Sequence, residues 1–317
     1  MQKPKYRHAL PQLAGGLFLT DGGLETTLIF HEGWDLPHGE AFVLLKDARG
    51  KAALRAYFDR YVPMAVEAGA GFVLESPTWR ANPDWAAKVG VDRETLAALN
   101  TEAIVLLMEI RSAYEAPATP LVVSGCVGPR GDGYDPGHLM SVAAAQDYHA
   151  WQIGVFREAG ADFVSAITMT NVNEATGFAR AAAAADMPSV VSFTLETDGR
   201  LPTGQALSEA IAEVDGAVSR PPAYYMINCA HPTHFDHALE PGAAWTMRLR
   251  GLRANSSKRS HQELDNAPEL DVGNPVELGT QYRDLVQRFP QINVLGGCCG
   301  TDHRHVNCIA SACRMAA

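Results

Sequence analysis

Short apolar runs recur along the chain, at Leu17–Thr20, Gly71–Glu75, Leu121–Cys126, Asp162–Ile167, Ser189–Thr194, Tyr224–Cys229, Met247–Arg253 and Ile292–Leu295. Runs of this length bounded by turn residues read as strands, and apolar character on both faces marks them as buried parallel strands. Between them apolar residues return at three- and four-residue spacing. The stretch 51–69, with Leu54, Tyr57, Phe58, Tyr61, Val62, Ala65, Val66 and Ala68, ends at Gly69 as a helix with a glycine C-cap should. Further helices are expected over 92–114, 141–159, 173–185 and 207–218. Strands alternating with helices, without a composition break, predict an α/β chain folded as a single (β/α)8 TIM barrel over 1–317 rather than a doubly wound sheet. Such a barrel gathers the C-terminal ends of its strands on the face where active sites lie. Only 255–276 breaks the rhythm: it is polar and aperiodic, either a lid or an irregular excursion.

Composition narrows the partners. Apolar residues make up 47% of the chain and charged residues 20%, yet no run approaches the ~20 apolar residues that span a bilayer. A soluble protein with no membrane partner is expected. The basic N-terminus, Met1 to His8, leads into no apolar segment of a secretory signal, so a cytoplasmic location follows by default. A net charge of −10 argues against nucleic acid.

In a reducing compartment the six cysteines are thiols available for chemistry. The sixth strand ends in Asn228-Cys229, and the eighth runs into Gly296-Gly297-Cys298-Cys299-Gly300-Thr301-Asp302. Two strand ends thus deliver three sulfurs to one point. Three thiolates leave a tetrahedral Zn2+ with an open fourth position, the mark of a catalytic site. Adjacent cysteines pair only with strain, which makes a redox pair the weaker reading. Cys126 could close a four-sulfur site, but the third strand is distant from the sixth and eighth. Cys308 and Cys313 read as packing residues. His231, His303 and His305 stay outside the metal, the last two as surface residues behind Asp302, the expected N-cap. Asp21-Gly22-Gly23 forms a tight turn whose amides could hold a substrate carboxylate. Arg130, Asp132 and Tyr134 lie in a glycine-rich loop on the expected site face.

With these pieces placed, the chain resembles the homocysteine S-methyltransferase family of zinc-dependent barrels, from Leu19 to about Ile309. The resemblance rests on Gly296-Gly297-Cys298-Cys299-Gly300-Thr301 and Asn228-Cys229, and more weakly on Asp21-Gly22-Gly23, Thr78-Trp79-Arg80-Ala81, Gly128-Pro129, Glu174-Ala175, Ser192-Phe193-Thr194 and Asn255-Ser256. It implies transfer of a methyl group from an activated donor to homocysteine or a related small thiol bound to zinc, and a place in methionine biosynthesis. Cys229, Cys298 and Cys299 would be the metal-binding and catalytic residues. Asp21, Gly22, Gly23, Thr78, Trp79, Arg80, Thr168, Glu174 and Asn228 would bind substrate. Two positions depart from the family pattern. Ile167-Thr168 replaces a Glu-Thr pair whose glutamate holds the substrate amino group, so Glu25, Glu75 or Glu174 would have to compensate. Arg80 replaces an uncharged residue, which suggests an acceptor with an extra anionic group. The resemblance leaves the donor open: S-methylmethionine, S-adenosylmethionine, betaine or another. Other readings are a metal-binding barrel without catalysis, and a zinc hydrolase with Glu174 or His231 as general base.

Overall fold

The computed structural model describes residues 3–265, 267 and 269–314. Its strands are β1 Phe18–Leu19, β2 Gly71–Glu75, β3 Leu121–Val127, β4 Phe163–Met169, β5 Ser189–Thr194, β6 Tyr224–Asn228, β7 Leu249–Ala254 and β8 Val294–Gly297. All are parallel; each pairs with the next, and β1 pairs with β8 to close the barrel. The helices are α1 Ala48–Phe58, α2 Val62–Ala68, α3 Pro83–Lys88, α4 Arg93–Tyr114, α5 Val142–Ala159, α6 Val172–Ala184, α7 Leu207–Ala217, α8 Pro232–Phe235, α9 His261–Asp265, α10 Pro275–Arg288 and α11 His303–Arg314.

The expected helix over 51–69 is two helices. Asp47 caps α1 by accepting from the Gly50 amide, and the chain restarts at α2, where Pro63 stands in the first turn with no amide to lose. Gly69 ends α2 at φ 63°, as expected. The seventh strand starts two residues later than its apolar run, because Thr246–Arg248 make a 3-10 turn.

Inward positions recur every second residue along each strand. Near the N-terminal end they are apolar: Phe18, Val73, Val122, Phe163, Val190, Tyr224 and Val294 pack with Leu10 into a dry plug. Two residues onward four of these inward rows turn polar, with Glu75, Ser124, Ser165 and Ser192, and Asn228 and Arg253 add polar groups near the ends of β6 and β7, all buried. The barrel is therefore sealed below and polar above. A larger apolar layer between strands and helices holds the frame.

The closure leaves no room at Gly296, where a Cβ would stand 1.9 Å from Thr20 Oγ1 and 2.7 Å from the Asp21 carbonyl oxygen. Gly154, inside α5, has nothing within 4 Å of that position. Gly296→Ala should therefore destabilise the fold by about 1–3 kcal/mol or more, as overpacked sites do. Gly154→Ala should stabilise it by roughly 0.5–1 kcal/mol through helix propensity. Denaturant unfolding of both variants checks the contrast; equal effects would mean that the β1–β8 seam is not tight.

Candidate functional site

The three cysteines are carried by loops that β7 holds on both of its edges. On one side the Cys229 amide donates to the Arg253 carbonyl (3.0 Å) and the Asn255 side-chain amide donates to the Cys229 carbonyl (3.1 Å). On the other, the Cys298 amide donates to the Ala254 carbonyl (2.9 Å) and the Ser256 amide to the Cys299 carbonyl (3.1 Å). The sulfurs of Cys229, Cys298 and Cys299 all lie within 4.8 Å of one another. Cys229 and Cys298 are joined as a disulfide, while Cys299 stays a thiol 3.8 Å from the Cys229 sulfur. The pairing therefore bridges two strand ends rather than the adjacent cysteines.

The donor set fits zinc once reduced. With Zn–S bonds of about 2.3 Å, tetrahedral geometry sets sulfurs ~3.8 Å apart, the separation already found between Cys229 and Cys299. Cys126 lines the same cavity but lies outside the sulfur cluster. Burial, then the nearby Glu75 carboxylate, pushes its thiol well above the ordinary cysteine range, so it stays protonated.

Backbone strain collects here. Cys229 and Thr168 adopt left-handed φ of 52° and 66°, costly for a non-glycine residue and more so for a β-branched one. Asn228 pins the second: its Oδ1 accepts from the Thr168 amide (3.0 Å) and from Ser192 Oγ (2.6 Å), and its Nδ2 donates to Thr168 Oγ1 (2.8 Å).

Below the sulfurs a cavity of about 260 Å³ opens, lined among others by Asp21, Glu25, Glu75, Arg80, Ile167 and Arg253. Arg253 pairs with Asp21 (2.8 Å), which also accepts from Tyr57 Oη (2.8 Å). Burial alone would lower the Arg253 pKa, but Asp21 and then Glu75 hold it above the usual value. Burial raises the carboxyl pKa of both Glu25 and Glu75. Among the described residues neither has a cation within 4.0 Å. A second cavity of about 240 Å³, reaching Ser257, His261, Leu270 and Asp271, shares Glu25, Tyr134 and Cys299 with the first. Described residues of the aperiodic 255–276 stretch thus wall the site: His261 stacks on Tyr134 (4.1 Å between ring centroids) and Tyr134 Oη lies 3.2 Å from Cys299 Sγ.

Asp21, Gly22, Gly23, Trp79, Arg80 and Thr168 line the first cavity as expected of substrate-binding residues, but Thr78, Glu174 and Asn228 do not. Thr78 is buried behind the wall, donating to the Cys126 carbonyl (2.7 Å). Glu174 faces His149 Nε2 (3.0 Å) and accepts from the Arg130 amide (2.7 Å). Asn228 sits behind the wall, where it holds Thr168 and its Nδ2 donates to Cys298 Sγ (3.9 Å). The Gly23 amide reads differently, since it donates to the Thr301 carbonyl (3.1 Å). A Cβ on Gly23 would meet the Cys298 carbonyl oxygen at 2.7 Å, so glycine there permits close loop packing. Arg80 is already answered: Asp132 lies 3.9 Å away, the His38 carbonyl accepts from it, and Trp85 covers its face at 3.9 Å. These contacts use its terminal nitrogens and leave the buried Nε without a hydrogen-bond partner among the described residues, so they weaken the argument for an extra anionic group on the acceptor without removing it. His305 is buried rather than exposed, because the first turn of α11 tucks under Val272, whose carbonyl accepts from His305 Nε2 (2.8 Å). Arg253 escaped the sequence reading; its one signal was a second arginine, after Arg250, inside a strand of the barrel.

The homocysteine S-methyltransferase family model matches residues 18–313. A selenocysteine Se-methyltransferase of Brassica oleracea is 26% identical over 90% of the chain and 86% of its own length. A homocysteine S-methyltransferase of Escherichia coli is 31% identical over 55% of the chain and 57% of its own length. The solved structure of the E. coli homocysteine methyltransferase MmuM superposes in its oxidized form at TM-score 0.76, with 24% identity, over 97% of this chain and 99% of that one. Its metallated form superposes at TM-score 0.74, with 22% identity, over 95% and 98%.

Two measurements test this site. Reduced protein should take up about one zinc, and protein with the Cys229–Cys298 bond intact should take up none, since ligands must be free thiolates. Equal zinc content in both would break the assignment. Arg253→Met should cost about 3–5 kcal/mol in unfolding free energy by stranding the buried Asp21 carboxylate, with much of the loss recovered in Arg253→Met/Asp21→Asn; no recovery would place Arg253's importance elsewhere.

Proposed function

The chain belongs to the homocysteine S-methyltransferase family and is a methyltransferase; from that premise we propose that it methylates the sulfur or selenium of a small amino acid-like acceptor, with zinc held by Cys229, Cys298 and Cys299. The observation that carries the reading is the convergence of these sulfurs over a cavity lined with buried charge. A bound zinc would keep the acceptor thiol, ordinarily of pKa ~8.5, deprotonated at neutral pH.

The surrounding residues account for the rest. The acceptor sulfur attacks the methyl carbon in line, and the bond from that carbon to the donor heteroatom breaks, its electron pair leaving with the donor. Tyr134, with its hydroxyl 3.2 Å from Cys299 Sγ, sets the partition between the two cavities, so that acceptor and donor can approach from opposite sides. Asn228 fixes the cavity wall at Thr168, and the Asp21–Arg253 pair fixes its floor. Preset walls of this kind supply orientation rather than chemistry.

A hydrolase would need a general base at the metal. Glu174 is committed to His149 and the Arg130 amide, and His231 caps α8 with Nδ1 turned to Thr233. Burial lowers the His231 pKa to about 4, and neither residue lines the cavity. Methyl transfer therefore remains the better supported chemistry.

The direct test gives reduced, zinc-loaded protein homocysteine or selenocysteine with S-methylmethionine, S-adenosylmethionine or betaine in turn, and follows methylated product by mass spectrometry. Product should form with at least one donor and fall to background in Cys298→Ser. Absence of product with every pair, from protein that retains its zinc, would overturn the proposal.

A further inference from the structure

Ile167 leaves β4 without a carboxylate at the inner face of the cavity, yet the structure brings one there from another strand. Glu75 closes β2, is buried and lines the cavity. Its Oε2 accepts from Ser165 Oγ on β4 at 2.6 Å, and Ser165 in turn accepts from Ser124 Oγ on β3 at 2.9 Å. Ser165 and Ile167 are successive inward positions of β4. The Glu75 carboxylate therefore lies against β4 one inward step below Ile167, held there by a serine relay across three strands.

Charge isolates it. Asp21 takes Arg253 at 2.8 Å, and Arg80 is turned to Asp132 and the His38 carbonyl. Glu174 is spent on His149 outside the cavity. That leaves Glu75 at the cavity floor, with no cation within 4.0 Å among the described residues. Arg253 acts on it from beyond 4.0 Å but spends its direct contact on Asp21, and a buried carboxylate without a close partner is costly, so Glu75 has room for a cationic group brought by a ligand. Glu25 also lines the cavity, but it sits half-buried on the wall shared with the second cavity, nearer the expected entry of the donor.

Resting on the methyl-transfer reading, we propose that Glu75 binds the ammonium group of the acceptor, and so selects thiols or selenols that carry an amino group. Glu75 is a specificity residue in this scheme: it touches the acceptor away from the reacting sulfur. Ser124 and Ser165 act through it as positioning residues.

The test compares homocysteine with 4-mercaptobutanoate, which keeps the thiol and the carboxylate and lacks only the amino group. Both are titrated calorimetrically into reduced, zinc-loaded protein as wild type, Glu75→Gln and Glu174→Gln, each checked for thermal unfolding. Glutamine still accepts from Ser165, so the relay survives the change. Wild type should favour homocysteine by roughly ten- to a hundredfold, the worth of a hydrogen bond to a charged group. Glu75→Gln should bring the ratio close to one, and Glu174→Gln should keep it. A ratio that persists in Glu75→Gln, or that is already one in wild type, overturns the assignment. Should Glu75→Gln fail to fold, Ser165→Ala, which loosens the same carboxylate, must shrink the ratio instead, and an unchanged ratio there also overturns it. A ratio that collapses as expected while no donor yields product keeps the Glu75 assignment and removes the methyl-transfer reading; binding of neither thiol by wild type removes both.

Discussion

The site depends on β7 lying between two cysteine-bearing loops. A parallel strand offers hydrogen-bonding groups on both edges, and the last residues of β7 and its loop, Arg253 to Ser256, use both edges at once. One edge fixes the loop of Cys229, the other that of Cys298 and Cys299. Residues about seventy positions apart in sequence are thereby registered to one another through a third segment. The left-handed backbone at Cys229 is tolerable because its amide and its carbonyl are both engaged, the latter by Asn255 and His261.

Charge organises the space beneath the sulfurs. Two arginines reach the cavity; Arg253 pairs with Asp21, and the terminal nitrogens of Arg80 face Asp132 and a carbonyl. The carboxylates of Glu25 and Glu75 remain, with carboxyl pKa values raised by burial. Zinc bound by three thiolates would carry a further net negative charge. The cavity is accordingly suited to cationic groups, whether an ammonium on the acceptor or an onium centre on the donor. Screening in such an enclosed space is weak, so these charges act strongly on what enters.

Much of this was legible in the sequence, and what was not has identifiable causes. Buried parallel strands read as continuous apolar runs, so the barrel and the convergence of Asn228-Cys229 with the Cys298-Cys299 pair could be inferred from strand order alone. Motif adjacency misled at Thr78 and Glu174, because the motif does not say which side of a strand end a residue faces. Glu174 sits in the first turn of α6 and points back to α5, where His149 waits. Arg253 and the Glu75–Ser165 bond were hidden for another reason: each joins strands separated by long stretches of sequence, and no local pattern encodes the partner. The described part of 255–276 shows no periodicity because its one complete helix, α9, is five residues long and the rest of that part, up to the start of α10, is irregular.

The central claim is that these thiols hold a metal with one position left for the acceptor's sulfur. Zinc K-edge X-ray absorption on the reduced, zinc-loaded protein addresses it directly. Three sulfur neighbours at about 2.3 Å with one lighter ligand are predicted before acceptor is added, and four sulfurs after homocysteine. A spectrum already at four sulfurs in the free protein, or one unchanged by homocysteine, would contradict the account.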